Sequence, residues 1–457
     1  MIKFLRASLA VALSCSMGSQ AFAIGGAFIG NEVPSARAAG EGYVGVAGQN
    51  NDPTAVFSNP AAMTSLKGTQ GTLGITWENI HGGYKDNSGT ETKERVTNVG
   101  VPNFAVTQSF LDGKLAAGLS TQSPFGLETH WDMNSPMRYV ATNSLVHSVD
   151  IMPAVAYQVH PMVSVGAGAD YVNMFDAELD RQIYVDGVNA VLTQSLPTGA
   201  ADGSSSLRGQ ADNWGYHAGI VIQPNEQHSL GIAYHSKVDL RVNGNITLSG
   251  LSGALASPLF FGGSSYSTSA YTDLVLPENI QFGYAFKPNS QWSFEADTAW
   301  YHWSAGRDIN VRYPNATANQ QAVLSASNPT PLDLHDVWSF NTGVNYKVNE
   351  KWQVRSGFWY EPRALPESTF SPAFMDLSRY GVSAGTGYAL TENFSIDAAY
   401  TAVFFHNRAI NNNVQASTSG LPDGTLLPSG TAEMNGTYSD FASLVALNFT
   451  YRFGAGH

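Results

Sequence analysis

Beyond residue 15 this chain contains no cysteine, and Cys15 itself falls inside a short N-terminal segment of recognisable type. There Lys3 and Arg6 precede an apolar stretch, "ASLAVALSCSM", and "AFA" at 21–23 closes it. That order predicts a secretory signal peptide over 1–23, with Ile24 as the first mature residue. A lipoprotein site at Cys15 fits less well, because Ala12 stands where a lipobox favours Leu. An exported chain without cysteines is not a small disulfide-stapled fold. Charge is also scarce: only 13% of residues are charged, and 36 acidic against 23 basic side chains leave a net charge of −13. An acidic surface disfavours nucleic acid as a partner. After the signal there is no run of 18 apolar residues, which excludes a membrane-spanning helix. It does not exclude spanning strands, which alternate apolar and polar residues and so average close to the mean hydropathy of −0.13 found here.

What the chain does have is aromatics, at 11%, and 45 glycines, set in a repeating order of strand, short turn, strand and long loop from about residue 70. The short turns are "FLDGKL" (110–115), "QVHPMV" (158–163), "QPNEQHS" (223–229), "KPNSQW" (287–292), "KVNEKW" (347–352) and "ALTENF" (389–394). Asn, Asp, Gly and Pro gather there because they adopt tight-turn dihedrals at little cost. Longer polar or Gly/Ser-rich loops fall near 83–95, 124–142, 179–206, 247–267, 313–332, 363–375 and 409–432. Six turns and seven loops join fourteen strands, and short turns on one side with long loops on the other is the asymmetry of an outer-membrane barrel.

Alternation supports this reading. Phe394, Ile396, Ala398, Tyr400, Ala402 and Phe404 share one face of a strand, and Ser395, Asp397 and Thr401 the other. Trp292, Phe294, Ala296 and Trp300 oppose Ser293, Glu295 and Asp297 in the same way. A soluble β-sandwich or propeller also alternates, but rarely keeps two-sided loop asymmetry or strands of about 16 residues. The expected fold is therefore an all-β transmembrane antiparallel barrel of about 14 strands over 70–457. Its final strand ends in "LVALNFTYRF", which puts Phe449, Tyr451 and Phe453 on one face.

Residues 24–69 do not alternate and are dense in glycine and alanine. Asp52-Pro53 and Asn59-Pro60 each pair a helix-capping side chain with a proline suited to the first helical position. A barrel of this width leaves a hole unless filled, so the segment is expected to form a hatch of short helices plugging the lumen.

Seven landmarks in order carry a family resemblance: "FIGNE" (28–32), "NPA" (59–61), "PNF" (102–104), "PFGL" (124–127), "NWGYHAGI" (213–220), "LPE" (276–278) and the closing "NFTYRF". Over its mature length the chain resembles the FadL/TodX family of outer-membrane transporters for long-chain fatty acids and hydrocarbons. The resemblance implies a hydrophobic ligand caught by the outer loops, passed to an apolar luminal pocket, and released sideways through a hole beside a kink in the third strand. It implies a pocket role for Phe28 and a hatch and lateral-gate role for Asn59, Pro60 and Ala61, packed toward the kink. The third strand would be about 114–123, with Gly118 and Pro124 as kink makers, since Gly has no side chain and Pro cannot donate to the ladder.

Arg181, in "DAELDRQ", matches the family's carboxylate-holding arginine, a job suited to the guanidinium fork. The competing reading is a loop-base charge or a salt bridge to Asp180 or Asp176. The family's second cation, a lysine, has no counterpart here, and "SNPTPLDLHDV" (327–337) offers only His335. Neutral hydrocarbons and aromatics therefore stay open beside fatty acids. Arg355 is expected to face inward and pair with Glu32, Glu41 or Asp52, and Trp214, Trp300, Trp338 and Trp359 to face lipid or its interface.

Enzymatic signatures are missing. "HSVD" (147–150) lies on one strand, whose alternate residues point apart, so no triad forms from it alone. No HExxH, CxxC or P-loop occurs, and neither cofactor nor metal is expected. A monomer is expected, with hydrophobic small molecules, outer-membrane lipid and lipopolysaccharide as partners. The alternatives are a general diffusion porin and an outer-membrane hydrolase or adhesin.

Overall fold

The computed structural model describes residues 35–48, 51–194, 196, 198–325, 328–412 and 434–453. Both the signal segment and Phe28 lie outside them. The chain forms a closed 14-stranded antiparallel barrel. Its strands are β1 (Thr69–Asp86), β2 (Thr97–Phe110), β3 (Leu115–Gln122 continuing as Gly126–His130), β4 (Asn143–His160) and β5 (Val163–Ile183). They continue as β6 (Gly203–Ile222), β7 (His228–His235 and Val238–Ser249), β8 (Ser265–Leu276 and Asn279–Phe286) and β9 (Trp292–Tyr301). The rest are β10 (Val337–Lys347), β11 (Trp352–Glu361), β12 (Arg379–Ala389), β13 (Phe394–Phe405) and β14 (Gly436–Phe453). Closure is complete: β1 pairs with β14 from Thr69↔Phe453 to Asp86↔Gly436. All six predicted turns fall between strands at one rim. The seven long loops leave the other rim and carry α3 (Val185–Thr193) and α4 (Ala318–Leu324).

Period-two patterning sorts the side chains as expected. Leu73, Ile75 and Trp77 on β1 and Val445, Phe449 and Tyr451 on β14 are exposed outward, while Thr72, Thr76, Leu444 and Asn448 are buried inside. Trp214 is 62% exposed and Trp338 46% exposed, at the surface where lipid would lie, and Trp300 stacks on His302 with ring centroids 5.3 Å apart. Trp359 departs from the expectation. It is only 4% exposed and points into the lumen, its ring 5.9 Å from that of Tyr43. It falls on the same face of β11 as Arg355 and Glu361, and the inward pull of that register outweighs any preference of tryptophan for lipid.

The N-terminal segment lies inside the barrel. It contains α1 (Ala36–Gly40), α2 (Ala55–Ser58) and a 3₁₀ turn, Pro60–Ser65, before β1 begins at Thr69. Asn59 caps the 3₁₀ turn, its side chain accepting from the Ala61 N–H, with Pro60 in the first position. Between these pieces the backbone has no ladder of its own, so its polar groups need other partners. Inward polar side chains of the wall supply them. Asp297 accepts the N–H groups of Gly45 and Val46 at 2.9 and 3.1 Å, and Glu295 that of Ala47 at 2.8 Å. Asn341 and Ser229 donate to the carbonyls of Gly42 and Ala47, and Asn448 accepts from the Ala36 N–H.

Charge pairing adds to this. Buried Arg355 lies 3.0 Å from Glu41 of the segment and 2.7 Å from Asp397 of β13. Of the three partners expected for it, Glu32 lies outside the described residues, and of Glu41 and Asp52 it is Glu41 that it meets. Close approach is made possible by glycines on the inner face of the wall. A Cβ at Gly231 would sit 1.9 Å from the Val46 carbonyl oxygen, and one at Gly357 2.1 Å from the Gly42 nitrogen.

Candidate functional site

Between β2 and β3 the wall parts sideways from near mid-height upward. β2 and β3 pair from Phe110↔Leu115 to Phe104↔Thr121, and there the ladder stops. β3 breaks at Ser123-Pro124-Phe125 and resumes as Gly126–His130, whose ladder is with β4, Gly126↔His147 to His130↔Asn143, and whose last carbonyl accepts the Arg95 N–H at 3.0 Å. Thr97–Asn103 of β2 keep β1 as a partner only up to Thr97↔Ile80. Among the described residues no ladder joins this upper part of β2 to Gly126–His130, so a gap opens between them. Pro124 sits at the break, where its missing N–H and the restriction it puts on Ser123 both interrupt pairing. The gap starts beside outward-facing Phe104 and rises to the level of Trp77, which is opposite Gly100 across β1 and β2.

Gly118 is not a kink maker. It lies in unbroken ladder, opposite Thr107 on one side and Ala154 on the other. A Cβ there would come within 2.5 Å of Val56 and 2.7 Å of the Met63 sulfur, so its lack of side chain admits the N-terminal segment, not a bend. Asn59, Pro60 and Ala61 are likewise not at the break. They face β5, β6 and β7. The Asn59 amide donates to the carbonyls of Val46, Ile220 and Ile232 at 2.7, 3.2 and 3.3 Å, and Gly166 and Gly219 leave room for Ala61 and for Asn59 itself. The member of the segment that reaches toward the break is Phe57, which shares a cavity with Pro124 and Phe125.

The lumen behind the gap holds an apolar cluster beside charged and polar side chains, among them Glu78, Glu128 and His147. Leu127, Val146, Val172, Met174, Val238 and Leu276 form one buried cluster, with Phe125, Leu274 and Phe374 packed on it. This cluster borders two cavities. The upper, of about 680 Å³ counted to its mouth, is lined by residues including Leu127, Leu179, Val242, Leu274, Ile309 and Phe374. The lower, of about 460 Å³, lies against the break.

Arg181 lines a third cavity nearer the loops, of about 370 Å³, among Ile183, Ile246, Leu248, Leu251 and Phe261. A β-bulge puts it there. Pairing between β5 and β6 jumps from Met174↔Ala211 to Ala177↔Gly209, adding one residue on β5 and reversing its faces. Ala177, Leu179 and Arg181 thereby turn to the cavities. Without the bulge Asp176, Glu178 and Asp180 would take their place. Asp180 does not pair with Arg181; half-exposed Arg208 binds it at 2.6 Å, together with Glu178 at 2.9 Å. His335 is exposed on a loop, lines none of these three cavities, and uses its backbone N–H to donate to Ala364. His147, Ser148 and Asp150 have separate surroundings. Ser148 donates to the Phe125 carbonyl, His147 turns toward Glu128 at 3.8 Å, and Asp150 faces the lower cavity.

Comparison with known proteins adds an independent line. Residues 15–453 match a family described as outer membrane protein transport protein (OMPP1/FadL/TodX). A long-chain fatty acid transport protein of Escherichia coli is 23% identical over 428 residues, covering 89% of this chain and 92% of that protein. Outer membrane protein P1 of Haemophilus influenzae is 25% identical over 497 residues, covering 99% and 100%. Among solved structures, a Pseudomonas aeruginosa FadL homologue superposes with a TM-score of 0.78 at 22% identity, covering 94% of this chain and all of that one. The Ralstonia pickettii toluene transporter TbuX gives 0.65 at 19% identity, covering 93% and 99%.

Proposed function

The chain belongs to the OMPP1/FadL/TodX family of outer-membrane transport proteins, and on that premise we propose that it takes up hydrophobic small molecules by passive diffusion, releasing them sideways through the gap between β2 and β3. The gap is the observation that carries this reading. A greasy ligand in the lumen has two ways out, into water at the short-turn rim or through the wall into lipid. Release into water costs roughly 0.8 kcal/mol per CH₂, so for a chain of a dozen carbons the wall is favoured overwhelmingly. The named relatives transport long-chain fatty acids and toluene, and the apolar cluster around Leu127 and Val172 suits the hydrocarbon part of both classes.

In this scheme the segment 35–68 is the hatch, closing the axial route while the lateral one stays open, and Arg181 offers an anion-binding point near the loops for ligands with a carboxylate. Because the barrel closes on itself, a single chain suffices, its outward band against lipid and lipopolysaccharide. A general diffusion porin would need an open axial bore, yet the segment's hydrogen bonds reach β6, β7, β9, β10 and β14 around the barrel.

Two measurements on the full protein test the reading. In planar bilayers the expected outcome is no steady porin-sized current, and in cells lacking other hydrophobe channels, expression is expected to raise uptake of labelled alkane or toluene. A large ohmic conductance with no gain in uptake would overturn it.

A further inference from the structure

The lower cavity is built by three interruptions of the wall: the break in β3 at Pro124 and Phe125, that in β7 at Ser236, and that in β8 at Pro277. Just over half of its lining is apolar, including Phe57, Met152 and Val172, and Asp150, Asp170, His235, Ser236, Asn279 and Gln281 make up the rest. Asp170 is engaged, hydrogen-bonded to the fully buried His217 and 3.9 Å from His235. His217 and His235 stack with centroids 5.4 Å apart, and Phe57 lies at the same distance from His235 on its other side. Asp150 is different. It is 3% exposed, and its Oδ1 has no hydrogen-bond partner among the described residues; the Nε2 atoms of His217 and His235 also have none there. Buried polar groups without partners are rare and costly. An acceptor left open in a cavity beside the outlet is suited to a donor carried by the cargo.

We propose that this cavity is a head-group subsite for neutral hydrophobes bearing a hydroxyl, such as long-chain alcohols and alkylphenols, with Asp150 accepting the hydroxyl proton and the tail lying along Phe125, Val172 and Val238. It rests on the proposed uptake of hydrophobes and names which of them the outlet favours. Anions are disfavoured here: a carboxylate reaching the subsite would give up its water in a low-dielectric lumen, where an unpaired charge is costly, and would meet two further carboxyl groups. No basic Lys or Arg lines the cavity, and the two imidazoles are committed to or beside Asp170. An acid held earlier at Arg181 would therefore proceed only after taking up a proton, which turns it into a hydroxyl donor of the same class.

The test compares retention of labelled 1-dodecanol, n-dodecane and dodecanoate at pH 8 by the detergent-solubilised protein, with empty micelles subtracted. Wild-type protein is expected to hold the alcohol about tenfold more tightly than the alkane, the scale of one buried hydrogen bond, and in R181A, which lacks the anion-binding point near the loops, dodecanoate should be held least well of the three. D150L should bring the alcohol to the level of the alkane while leaving the alkane unchanged. D150N keeps an acceptor of the same shape, so it should retain the alcohol. Heat-modifiable mobility of each variant checks that the barrel has formed. Equal retention of alcohol and alkane by wild type, or an alcohol preference that survives D150L, would overturn the subsite and leave Asp150 with water alone. Failure of the wild-type protein to hold even the alkane would instead sink the hydrophobe reading on which the subsite stands.

Discussion

At the scale of single residues, two side chains separate structure from ligand chemistry. Asn59 is completely buried and makes four hydrogen bonds, three from its amide and one to its oxygen. Asn59→Ala removes all of them and strands the Val46 carbonyl and the Ala61 N–H, at about 1–3 kcal/mol for each buried group left unpaired. The expected outcome is an intact barrel with a loosened hatch: unchanged heat-modifiable mobility, faster proteolysis within 35–68, and slower hydrophobe uptake. Wild-type uptake in that variant would remove the hatch role. Arg181 is tested by selectivity instead. Arg181→Ala should lower binding of a fatty acid by about tenfold, the worth of a charge-assisted contact, and leave an alkane within twofold. Equal loss for both would make the arginine structural. Both residues stand out in the sequence, Asn59 by its capping pattern and Arg181 by family position. Arg208, which takes Asp180, one of the two acids weighed for Arg181, does not, because its partners depend on a bulge that one strand's sequence cannot announce.

At the scale of elements, the β3 break carries the functional argument and yields a direct test. Gln122 faces inward and Leu127 faces inward, so deleting Ser123, Pro124 and Phe125 joins the two halves without reversing either face. The joined strand can then continue its ladder along β2 past Asn103. Uptake of labelled alkane is expected to fall to background while the barrel still assembles and remains non-conducting. Undiminished uptake would show that cargo leaves elsewhere. Strand existence and turn positions were legible from alternation and turn chemistry, and Pro124 was legible as a breaker because proline lacks the N–H a ladder needs. Gly118 was misread for an instructive reason. Glycine in a strand signals either a bend or the close approach of another backbone, and alternation alone does not tell them apart. The signal that could have done so is phase: Gly118, Gly219, Gly231, Gly283, Gly343 and Gly357 all point inward, and each leaves room for the N-terminal segment.

At the scale of the whole molecule, the hatch and the wall stabilise each other through contacts far apart in the chain. Ala36 meets Asn448, and Arg355 joins Glu41 to Asp397. Removing one member of such a buried pair typically costs about 3–5 kcal/mol, since it leaves a charge uncompensated. The lumen is therefore not a generic greasy hole with a loose stopper. It has a polar lower floor that holds the hatch by its backbone, and above it an apolar cluster beside the gap between β2 and β3.

The sequence by itself determined the class of this protein. Period-two alternation, tight-turn residues at six points and the lack of any long apolar run leave a membrane barrel as the consistent answer, because each of those signals is local and needs no knowledge of what packs against what. It also marked the N-terminal piece as something other than wall. Only the tertiary structure decided where that piece docks, which strand pair parts, and which acids end up facing the outlet. Those outcomes depend on register and bulges, where a single added residue exchanges the two faces of a strand, and so they exist only once the ring has closed.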